Sequence, residues 1–473
     1  MISHPKSRLP HVASRYNFCV PIASGVLLYN LSSGRLIRLS KGDGEHLARL
    51  LSGHVRPRVD AASFSNAVWS ALEDGGFVVR EGVDEVAEIK DRFWQARRNA
   101  PIVVTLTVTQ DCNLRCFYCY EERTTDRLES DHLQDILGRL DASIERSPGS
   151  DVHVDWYGGE PLLNADFIEH ASQAIQAHVA ARGRGYSASI ISNGTRWPED
   201  PVAFVRRHAI REVQISFDGN RAQHEKYRAY REQTDTSSFD EAVRVVDALV
   251  PVCKVAIRLN IDARSARTID DFLDVVLAHG WLVPPNRGVL QPARLTAFSK
   301  RSDFMREGGL SVTEFEAIKR DVIKPKLGPG IRIEEAETLD GFPRPRTSVC
   351  AALSDGSFVV GADALEYRCG LQVGEAGRNV GPIAGQKKRR LPLAAEGDAS
   401  FWRDFDPTLR PRCPHCSFLP VCWGGCPKGH LEGNQHAIDE QGRYWRENLA
   451  RLIAAGVGEH VDFAFDDATQ FRS

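Results

Sequence analysis

Strand-like and helix-like patterns of apolar residues alternate along the middle of the chain. Between the strand-like runs, apolar residues recur at helical spacing, as in Phe167, Ile168, Ala171 and Ile175. The strand-like runs are β-branched and apolar, and lie at 102–109, 151–157, 186–192, 211–217, 252–261 and about 287–295. Such alternation predicts a parallel sheet with outer helices, and six units are fewer than the eight of a closed barrel. We therefore expect an α/β fold built on a partial (β/α)6 TIM-like barrel.

The first hundred residues carry a different pattern, of short strands and short helices. The predicted elements are a β-hairpin over 24–40, helices around 47–51 and 64–72, a strand over 77–79 and a polar linker helix over 84–98. The order of hairpin, two helices and strand is typical of a winged-helix-like unit.

Beyond the barrel the residue composition of the sequence changes twice. A helix predicted over 313–324 and a stretch rich in proline and glycine form a bridge, and after Arg346 the chain becomes rich in cysteine and glycine. The predicted domains are a winged-helix-like domain with its linker helix at 1–98, the partial barrel at 99–300, a bridging region at 301–345 and a cysteine-rich domain at 346–473.

Composition narrows the class of protein. The chain has 473 residues, of which 42% are hydrophobic and 26% charged, and its net charge is −3. This balance gives no polyelectrolyte signal, so we expect no nucleic-acid partner. No apolar run is long enough for a membrane span, and Met1 to Tyr16 contains no apolar core of a signal peptide. The sequence thus predicts a cytoplasmic protein without a membrane partner, in which eleven cysteines favour metal binding over disulfides.

The most informative cysteines follow the first predicted barrel strand. They read Cys112-Asn-Leu-Arg-Cys116-Phe-Tyr-Cys119. Three thiols at a strand end can bind three irons of a cubane cluster and leave the fourth iron open. Zinc is the alternative, although structural zinc normally takes four protein ligands.

Polar and glycine-rich segments follow the next strands. Because chemistry in such folds sits at the carboxyl ends of the strands, these segments are candidates for one site. Gly158 and Gly159 allow close backbone approach, and Glu160 can accept hydrogen bonds from an ammonium group. The segments at Asn193 and Asp218 suit ribose and carboxylate contacts, with plain helix capping as the alternative.

With Tyr118 directly before its third cysteine, the Cys112–Cys119 segment resembles the C-x-x-x-C-x-aromatic-C signature of radical S-adenosylmethionine (SAM) enzymes. The resemblance covers residues 101–300. It implies a [4Fe–4S] cluster whose open iron chelates SAM, and a 5′-deoxyadenosyl radical that abstracts hydrogen from carbon. The residues implied to line SAM are Tyr118, Gly158, Gly159, Glu160, Pro161, Asn193, Ser216, Asp218, Arg228 and Asn260. For Arg228, in His224-x-x-x-Arg228, a surface salt bridge is nearly as good an explanation.

A second group of cysteines lies near the carboxyl terminus, where structural zinc is the alternative to iron. Its spacing, Cys413-x2-Cys416-x5-Cys422-x3-Cys426, resembles the SPASM extension of radical SAM enzymes. The resemblance implies one or two auxiliary [4Fe–4S] clusters. The implied ligands are Cys350, Cys369 and Cys426 for auxiliary cluster I, and Cys413, Cys416 and Cys422 for auxiliary cluster II.

The chain departs from the SPASM pattern at two points. Ala364 stands where the family has a glycine five residues before the second cysteine, and no cysteine follows Cys426. Cluster II then has an open iron, is lost, or takes a substitute ligand. The candidate substitutes are His430, His436, Asp439 and Glu440.

SPASM-type enzymes mostly modify peptides, and the amino-terminal unit resembles the peptide-recognition domain of natural-product maturases. That resemblance implies a leader peptide bound as an added strand beside the hairpin. A DNA-binding winged helix is the alternative, which the neutral charge balance disfavours.

The leading hypothesis is a maturase that forms a C–C, C–O or thioether cross-link in a ribosomally made precursor peptide. Auxiliary clusters would accept the electron, and a flavodoxin or ferredoxin would supply the reducing electron. The alternatives are a peptide epimerase, a formylglycine-forming sulfatase maturase and, in another class, a zinc-bound peptide-binding scaffold. Sulfatase-maturing relatives carry an Asp directly after the second SPASM cysteine, where this chain has Gly370.

Overall fold

The computed structural model divides the chain into two compact units. The described residues are 10–52, 56–297, 300–306, 309–331, 333–334, 338–339, 342–383, 396–459, 461 and 465. The barrel unit comprises Arg98–Glu334 and Cys350–Asp404, and the second unit comprises Met1–Arg97, Glu335–Val349 and Phe405–Ser473. The cysteine-rich segment is thus shared between the units.

The amino-terminal part of the second unit contains two small antiparallel sheets. The strands are β1 His11–Ala13, β2 Asn17–Ile22, β3 Gly25–Asn30, β4 Arg35–Ser40, β5 Arg58–Val59 and β6 Val78–Arg80, and the helices are α1 Asp43–Ser52, α2 Asn66–Asp74 and α3 Glu85–Arg98. One sheet has the order β2-β3-β4 and the other the order β5-β1-β6. The predicted hairpin is β3–β4, and β2 is a third strand that the sequence pattern did not reveal.

Buried amide groups connect these two sheets. The Asn30 side chain donates to Asn17 Oδ1 at 2.9 Å and to Gly76 O at 2.9 Å. Asn17 in turn donates to Phe77 O at 2.8 Å. Because buried polar groups are costly without partners, these bonds fix the hairpin on the segment that leads into β6.

Six parallel strands form the core of the barrel unit. They are β7 Ile102–Thr109, β8 Val152–Gly158, β9 Tyr186–Ser192, β10 Ile210–Phe217, β11 Lys254–Ile261 and β12 Gly288–Arg294. The intervening helices are α4 Leu133–Arg146, α5 Ala165–Ala180, α6 Pro201–Arg207, α7 Arg221–Tyr227, α8 Ser238–Leu249 and α9 Ile269–Ala278. Each strand pairs in parallel with its neighbour in sequence. This arrangement confirms the predicted partial (β/α)6 architecture.

The two faces of this sheet differ in polarity. On β8, Val154 and Trp156 are buried in the apolar core with residues of α4 and α5. The alternate residues His153 and Asp155 lie on the face opposite the helices, where Ser189 Oγ donates to Asp155 Oδ1 at 2.6 Å. A half-polar strand of this kind needs helices on one face only.

The remaining elements are divided between the barrel unit and the second unit. The strands are β13 Thr338–Leu339, β14 Phe342–Pro343, β15 Phe358–Val360, β16 Leu365–Tyr367 and β17 Gly381–Pro382. The helices are α10 Val312–Ile318, α11 Lys324–Leu327, α12 Glu396–Asp404, α13 Leu419–Cys422, α14 Pro427–Leu431 and α15 Gln435–Ala455, with a π-helical turn at Lys319–Ile323. β15 pairs in parallel with β7, so the barrel sheet continues into β16 and β17. Across the described ranges, no helix has both the length and the apolar composition that crossing a membrane requires.

Candidate active site

The first three cysteines lie on the loop that leaves the carboxyl end of β7. Cys112 is buried, and Cys116 and Cys119 are half-buried. Cys112 lies within electrostatic range of Cys116, and Cys116 within range of Cys119. Burial raises the pKa of Cys112 to about 12 and the pKa of Cys116 to about 11. A bound metal reverses this preference, because a coordinating thiol is deprotonated.

The glycines after β8 make room for this cysteine loop. A Cβ atom on Gly158 would lie 2.3 Å from Thr109 O, and a Cβ atom on Gly159 would lie 2.4 Å from Asp111 O. Gly158 also has φ +145°, in the region that favours glycine. The backbone that carries Cys112 is thus a close neighbour of both glycines, and their predicted approach to SAM stays a prediction.

Glu160 connects the ends of β8 and β9. It is fully buried, and its carboxylate accepts hydrogen bonds from Asn193 N at 2.7 Å, Ser192 Oγ at 3.0 Å and Leu162 N at 3.2 Å. Burial raises the pKa of Glu160 to about 7. The structure therefore gives this carboxylate a positioning role, and its contact with the SAM amino group stays a prediction.

Asn193, directly after β9, holds the cysteine loop through Asn113. Asn193 Nδ2 donates to Asn113 Oδ1 at 2.9 Å and lies 3.7 Å from Cys112 Sγ. Asn113 donates in turn to Thr195 Oγ1 at 2.8 Å. The sequence pattern indicated the segment that contains Asn193 and Thr195 but missed Asn113, whose only signal is its place beside Cys112.

Tyr118 joins three of the predicted site residues. Its hydroxyl donates to Asp218 Oδ2 at 2.7 Å and accepts from Arg228 Nη1 at 2.7 Å and from Asn260 Nδ2 at 3.3 Å. Arg228 Nη1 also lies 3.7 Å from Asp218 Oδ2, and both side chains are buried. Burial raises the pKa of Asp218, and Arg228 opposes that effect. The structure thus places Arg228 in a buried ion pair rather than in the alternative surface salt bridge.

Two further predicted contacts lie at the same strand ends. Pro161 is buried at the start of a short 3₁₀ turn after β8. Ser216 is buried near the end of β10, where it is in register with Arg258 of β11. The structure therefore brings predicted site residues from the ends of β7, β8, β9, β10 and β11 to the carboxyl edge of the parallel sheet.

A group of hydroxyl and carboxyl side chains beside the cysteine loop was missed from the sequence. The hydroxyls of Tyr120 and Tyr157 are hydrogen-bonded to each other, and Glu121 bonds to both. Burial raises the pKa of Glu121 to about 7. Because Tyr120 and Glu121 directly follow Cys119, their position was the available signal.

A polar cavity of about 640 Å³ opens beside the cysteine loop in the barrel unit. Its lining includes Cys112 and Asn113 from the loop, Trp197 after β9 and Arg231 after α7. Arg231 Nη1 bonds to Asp111 Oδ1 at 2.5 Å. The loop is therefore accessible from this side as well as from the sheet edge.

The later cysteines fall into both units. Cys413, Cys416 and Cys422 lie in the second unit within electrostatic range of one another. Burial raises the pKa of Cys413 and of Cys416 to about 12. The structure thus brings the predicted cluster II thiols together.

The predicted cluster I ligands are divided between the units. Cys350 and Cys369 belong to the barrel unit, and Cys426 belongs to the second unit, so this ligand set stays a prediction. Ala364, which departs from the SPASM pattern, has φ +58°. Glycine adopts this left-handed conformation without strain, which explains a glycine preference at this position.

The three thiols of the cysteine loop can each bind a different iron of a cubane cluster. Cys112 Sγ accepts from Leu114 N at 3.4 Å, with Asn193 Nδ2 at 3.7 Å, and such donors tune a ligating sulfur.

A known family model matches the part of the chain that carries this site. Residues 106–276 match the family model of the Radical SAM superfamily. These residues therefore form a radical SAM domain. Such a domain implies SAM and one [4Fe–4S] cluster, which the residues around Cys112, Cys116 and Cys119 fit.

Curated relatives extend beyond the radical SAM domain. The serine-type anaerobic sulfatase-maturating enzyme of Klebsiella aerogenes is 26% identical over 356 residues, which cover 72% of this chain and 83% of that enzyme. The mycofactocin maturase MftC of Mycobacterium tuberculosis is 29% identical over 187 residues, which cover 38% of this chain and 43% of the maturase.

Solved structures share the fold. Native anSMEcpe with bound AdoMet has a TM-score of 0.55 at 16% identity, covering 76% of this chain and 99% of that chain. Streptococcus suis SuiB bound to precursor peptide SuiA has a TM-score of 0.50 at 13% identity, covering 90% of this chain and 97% of SuiB. At these identities the likeness shows the fold alone.

Proposed function

We propose that this radical SAM enzyme is a peptide maturase that cross-links a ribosomally made precursor peptide. The observation that carries the proposal is the assembly of the Cys112–Cys119 loop and the Tyr118 network at the carboxyl edge of the radical SAM domain. The bound cluster and SAM would supply a radical that removes hydrogen from carbon. The carbon radical would then bond to its partner atom, with the loss of two hydrogens in total. One would leave as an atom to the 5′-deoxyadenosyl radical, and the other as a proton to solvent and an electron to the auxiliary clusters, the proposed acceptor.

The barrel side chains prepare the site for this chemistry. The buried Arg228–Asp218 pair and Asn260 fix the Tyr118 ring beside Cys116 and Cys119. Arg228 and Asn260 are also the proposed polar contacts to SAM. A ring and a cation held by buried hydrogen bonds need no rearrangement when the ligand binds.

The amino-terminal sheet offers a binding edge for a peptide. In the described sheet, β4 pairs with β3 on one side and forms its outer strand. Its Arg35 and Arg38 side chains are exposed, while Ile37 packs against the core of the unit. An extended leader segment added to such an edge gains backbone hydrogen bonds.

Relatives support a peptide substrate in general terms. The sulfatase-maturating enzyme and the mycofactocin maturase are named as maturation enzymes, and SuiB was solved with a precursor peptide. A shared fold and a shared domain favour the class of substrate, whereas the residue attacked and the bond formed belong to this chain alone.

Coexpression tests the proposal directly. The full chain is expressed with candidate precursor peptides under anaerobic conditions, and the peptides are analysed by mass spectrometry, with Cys116→Ala as the inactive control. We expect a loss of two hydrogens and fragment ions missing between the joined residues. An unchanged mass with deuterium uptake from heavy water would instead establish an epimerase.

The second candidate is a formylglycine-forming sulfatase maturase. It is favoured by the Klebsiella relative, which aligns over 83% of its length. Against it stands Gly370, at the position where those relatives carry the Asp base. A Cβ atom on Gly370 would meet no atom within 4 Å, so the backbone has room for an Asp that the sequence lacks.

An aldehyde reagent separates the two candidates. A sulfatase-derived peptide with a target Cys or Ser is incubated with the reduced enzyme and SAM, then treated with a hydrazide. Cross-linking predicts no hydrazone, and a hydrazone that requires Cys116 would establish the formylglycine reaction. Iron, sulfide and zinc analysis tests the third alternative, a zinc-bound peptide-binding scaffold. A protein that contains zinc but no iron, and that does not cleave SAM, would contradict both enzyme candidates.

A further inference from the structure

Phe117 and Phe304 form an exposed aromatic patch in the barrel unit. Phe117, the residue directly after Cys116, is 43% exposed. Phe304, on the 3₁₀ turn Lys300–Arg306, is 56% exposed, and the centroids of the two rings are 6.3 Å apart. Large apolar side chains that are exposed next to each other commonly mark a surface that a partner covers.

The patch is supported by the buried ring of Tyr227. The Phe117 ring packs edge-on against this ring, with 4.5 Å between centroids. The Tyr227 hydroxyl donates to Asp262 Oδ2 at 2.8 Å, and Asp262 Oδ1 accepts from the backbone N–H groups of Arg264 and Ser265. The exposed face of Phe117 thus belongs to a fixed surface, and a partner that binds there has little to order.

The exposed charges that flank the patch are positive. The exposed cations within three residues of Phe117, Tyr227, Asp262 or Phe304 in the described chain are Arg115, Lys226, Arg264 and Arg301. Arg264 is also within electrostatic range of the Tyr227 hydroxyl. The carboxylates in the same described stretches, Glu225, Asp262 and Asp303, are half-buried. An apolar centre with basic surroundings is complementary to an acidic protein surface.

The patch also lies beside the predicted iron ligands. Phe117 is bonded to Cys116 through the backbone and is two residues before Cys119. Reductive cleavage of SAM requires one electron from a donor outside the chain, and electron transfer between proteins requires their cofactors to come close together. A protein that covers Phe117 brings its cofactor to the loop that carries these ligands.

We propose that the aromatic patch is the docking surface for flavodoxin, an acidic electron carrier whose flavin has an exposed, apolar dimethylbenzene edge. The two phenylalanine rings offer this edge an aromatic surface, and the flanking cations attract and orient the acidic partner. In the electron-transfer step the flavin hydroquinone is oxidised by one electron and the radical SAM cluster is reduced by one. The assignment rests on the radical SAM domain and is independent of the peptide that the enzyme modifies.

A comparison of electron donors tests the flanking cations without any peptide. The reconstituted full chain is assayed for 5′-deoxyadenosine release with reduced flavodoxin at increasing concentrations, and separately with dithionite. Lys226→Glu combined with Arg301→Glu is expected to raise the flavodoxin concentration at half-maximal rate about tenfold and to leave the dithionite rate unchanged. The control is Arg206→Glu combined with Arg211→Glu, which makes the same change of charge at the amino edge of the sheet and should match the parent.

A second pair of variants tests the apolar centre. Phe304→Ser is expected to weaken flavodoxin binding about tenfold, because the contact area at the centre of the interface is lost. Leu277→Ser, at a 39% exposed position on α9, is the matched control and should bind as the parent does. Microscale thermophoresis with oxidised flavodoxin measures binding without turnover, and iron and sulfide content shows that each variant holds its clusters.

Several results would overturn the assignment. They are a parent chain that dithionite reduces but flavodoxin neither binds nor reduces, patch variants that match their controls, and equal losses with flavodoxin and with dithionite. An effect seen with ferredoxin but not with flavodoxin would exclude flavodoxin as the partner. A parent that elutes as a dimer, with Phe304→Ser as a monomer, would assign the patch to a second copy of this chain. Because no peptide is present, failure of the cross-linking proposal leaves all these outcomes unaffected.

Discussion

Substitution of either Arg228 or Asp218 alone is expected to destabilise the folded protein. Both side chains are buried, and Tyr118 depends on both for its orientation. Removing one member of a buried pair leaves the other charge without compensation, which costs more than the pair itself contributes.

Arg228→Met is expected to lower the free energy of unfolding by about 3–5 kcal/mol, because Asp218 is then buried without its cation. Urea denaturation of the metal-free full chain measures the change. The matched control is Arg207→Met, which breaks an exposed 3.0 Å pair with Glu169 and should cost under about 1 kcal/mol. Adding Asp218→Asn to Arg228→Met should recover part of the loss. Equal effects of the two arginine variants would refute this account.

His208 gives the fold a pH dependence of its own. It is fully buried at the end of α6, neither ring nitrogen has a hydrogen-bond partner among the described residues, and its ring packs against Phe204 at 4.5 Å between centroids. Burial lowers the pKa of His208 from its ordinary value of 6.5. The unfolded chain therefore binds a proton that the folded chain resists, and stability is lost as pH falls below about 6.5.

His208→Phe is expected to reduce the loss of stability between pH about 7.5 and about 5.5, because the group that titrates on unfolding is removed. Urea midpoints at the two pH values measure it. His170→Phe, at an exposed position on α5, is the control and should show the same fall as the unmodified chain. The explanation is wrong if His208→Phe loses as much stability as that control.

At the scale of elements, the loop after β7 and the turn after β8 behave as one piece. Their backbones meet without intervening side chains at Gly158 and Gly159. Gly159 N–H donates to Thr109 O at 3.0 Å, and Glu160 N–H donates to Asp111 O at 2.9 Å. The position of the cysteines therefore depends on a neighbouring strand end as much as on their own loop.

Gly159→Ala is expected to displace the cysteine loop, since its Cβ would lie 2.4 Å from Asp111 O. Iron and sulfide per chain after anaerobic reconstitution should fall by about one cluster, together with SAM cleavage. Gly138→Ala is the control, because Gly138 is exposed in α4 with no atom near its Cβ position, and it should be stabilising by about 0.5–1 kcal/mol. Full cluster content in Gly159→Ala would show that the close approach is not required.

At the scale of the whole molecule, the two cysteine groups are expected to be separable in function. Their thiols lie in different units of the chain, the first group in the barrel unit and Cys413, Cys416 and Cys422 in the second unit. Distinct units carry their own cores, so the loss of one metal site leaves the other unit folded.

A variant with Cys413, Cys416 and Cys422 all changed to Ala is expected to retain reductive SAM cleavage and to lose peptide cross-linking. The reciprocal variant, with Ala at Cys112, Cys116 and Cys119, should lose SAM cleavage and retain auxiliary iron. Deoxyadenosine release, iron content and peptide mass measure the three properties. Cross-linking that survives the first variant would remove the auxiliary cluster from the proposed reaction.

The periodicity of apolar residues determined the architecture, because strands and helices form through interactions between residues close together in sequence. Alternating strands and amphipathic helices predicted β7 to β12 within a few residues, and the hairpin β3–β4 followed from the same reasoning. The spacing of Cys112, Cys116 and Cys119 indicated the radical SAM domain. Metal ligands that lie on one short loop must keep a fixed separation along the sequence. These features depend on neighbours in the chain.

Only the tertiary structure decided which groups meet across the fold. It paired β15 with β7, added β2 to the hairpin and placed the backbone of the cysteine loop against Gly158. It also brought the Glu160 carboxylate to the backbone N–H of Asn193 and the Tyr120 hydroxyl to the Tyr157 hydroxyl, each as a hydrogen bond. These contacts join residues far apart in sequence, and their partners are selected by packing and by the need to satisfy buried polar groups, which no local pattern encodes.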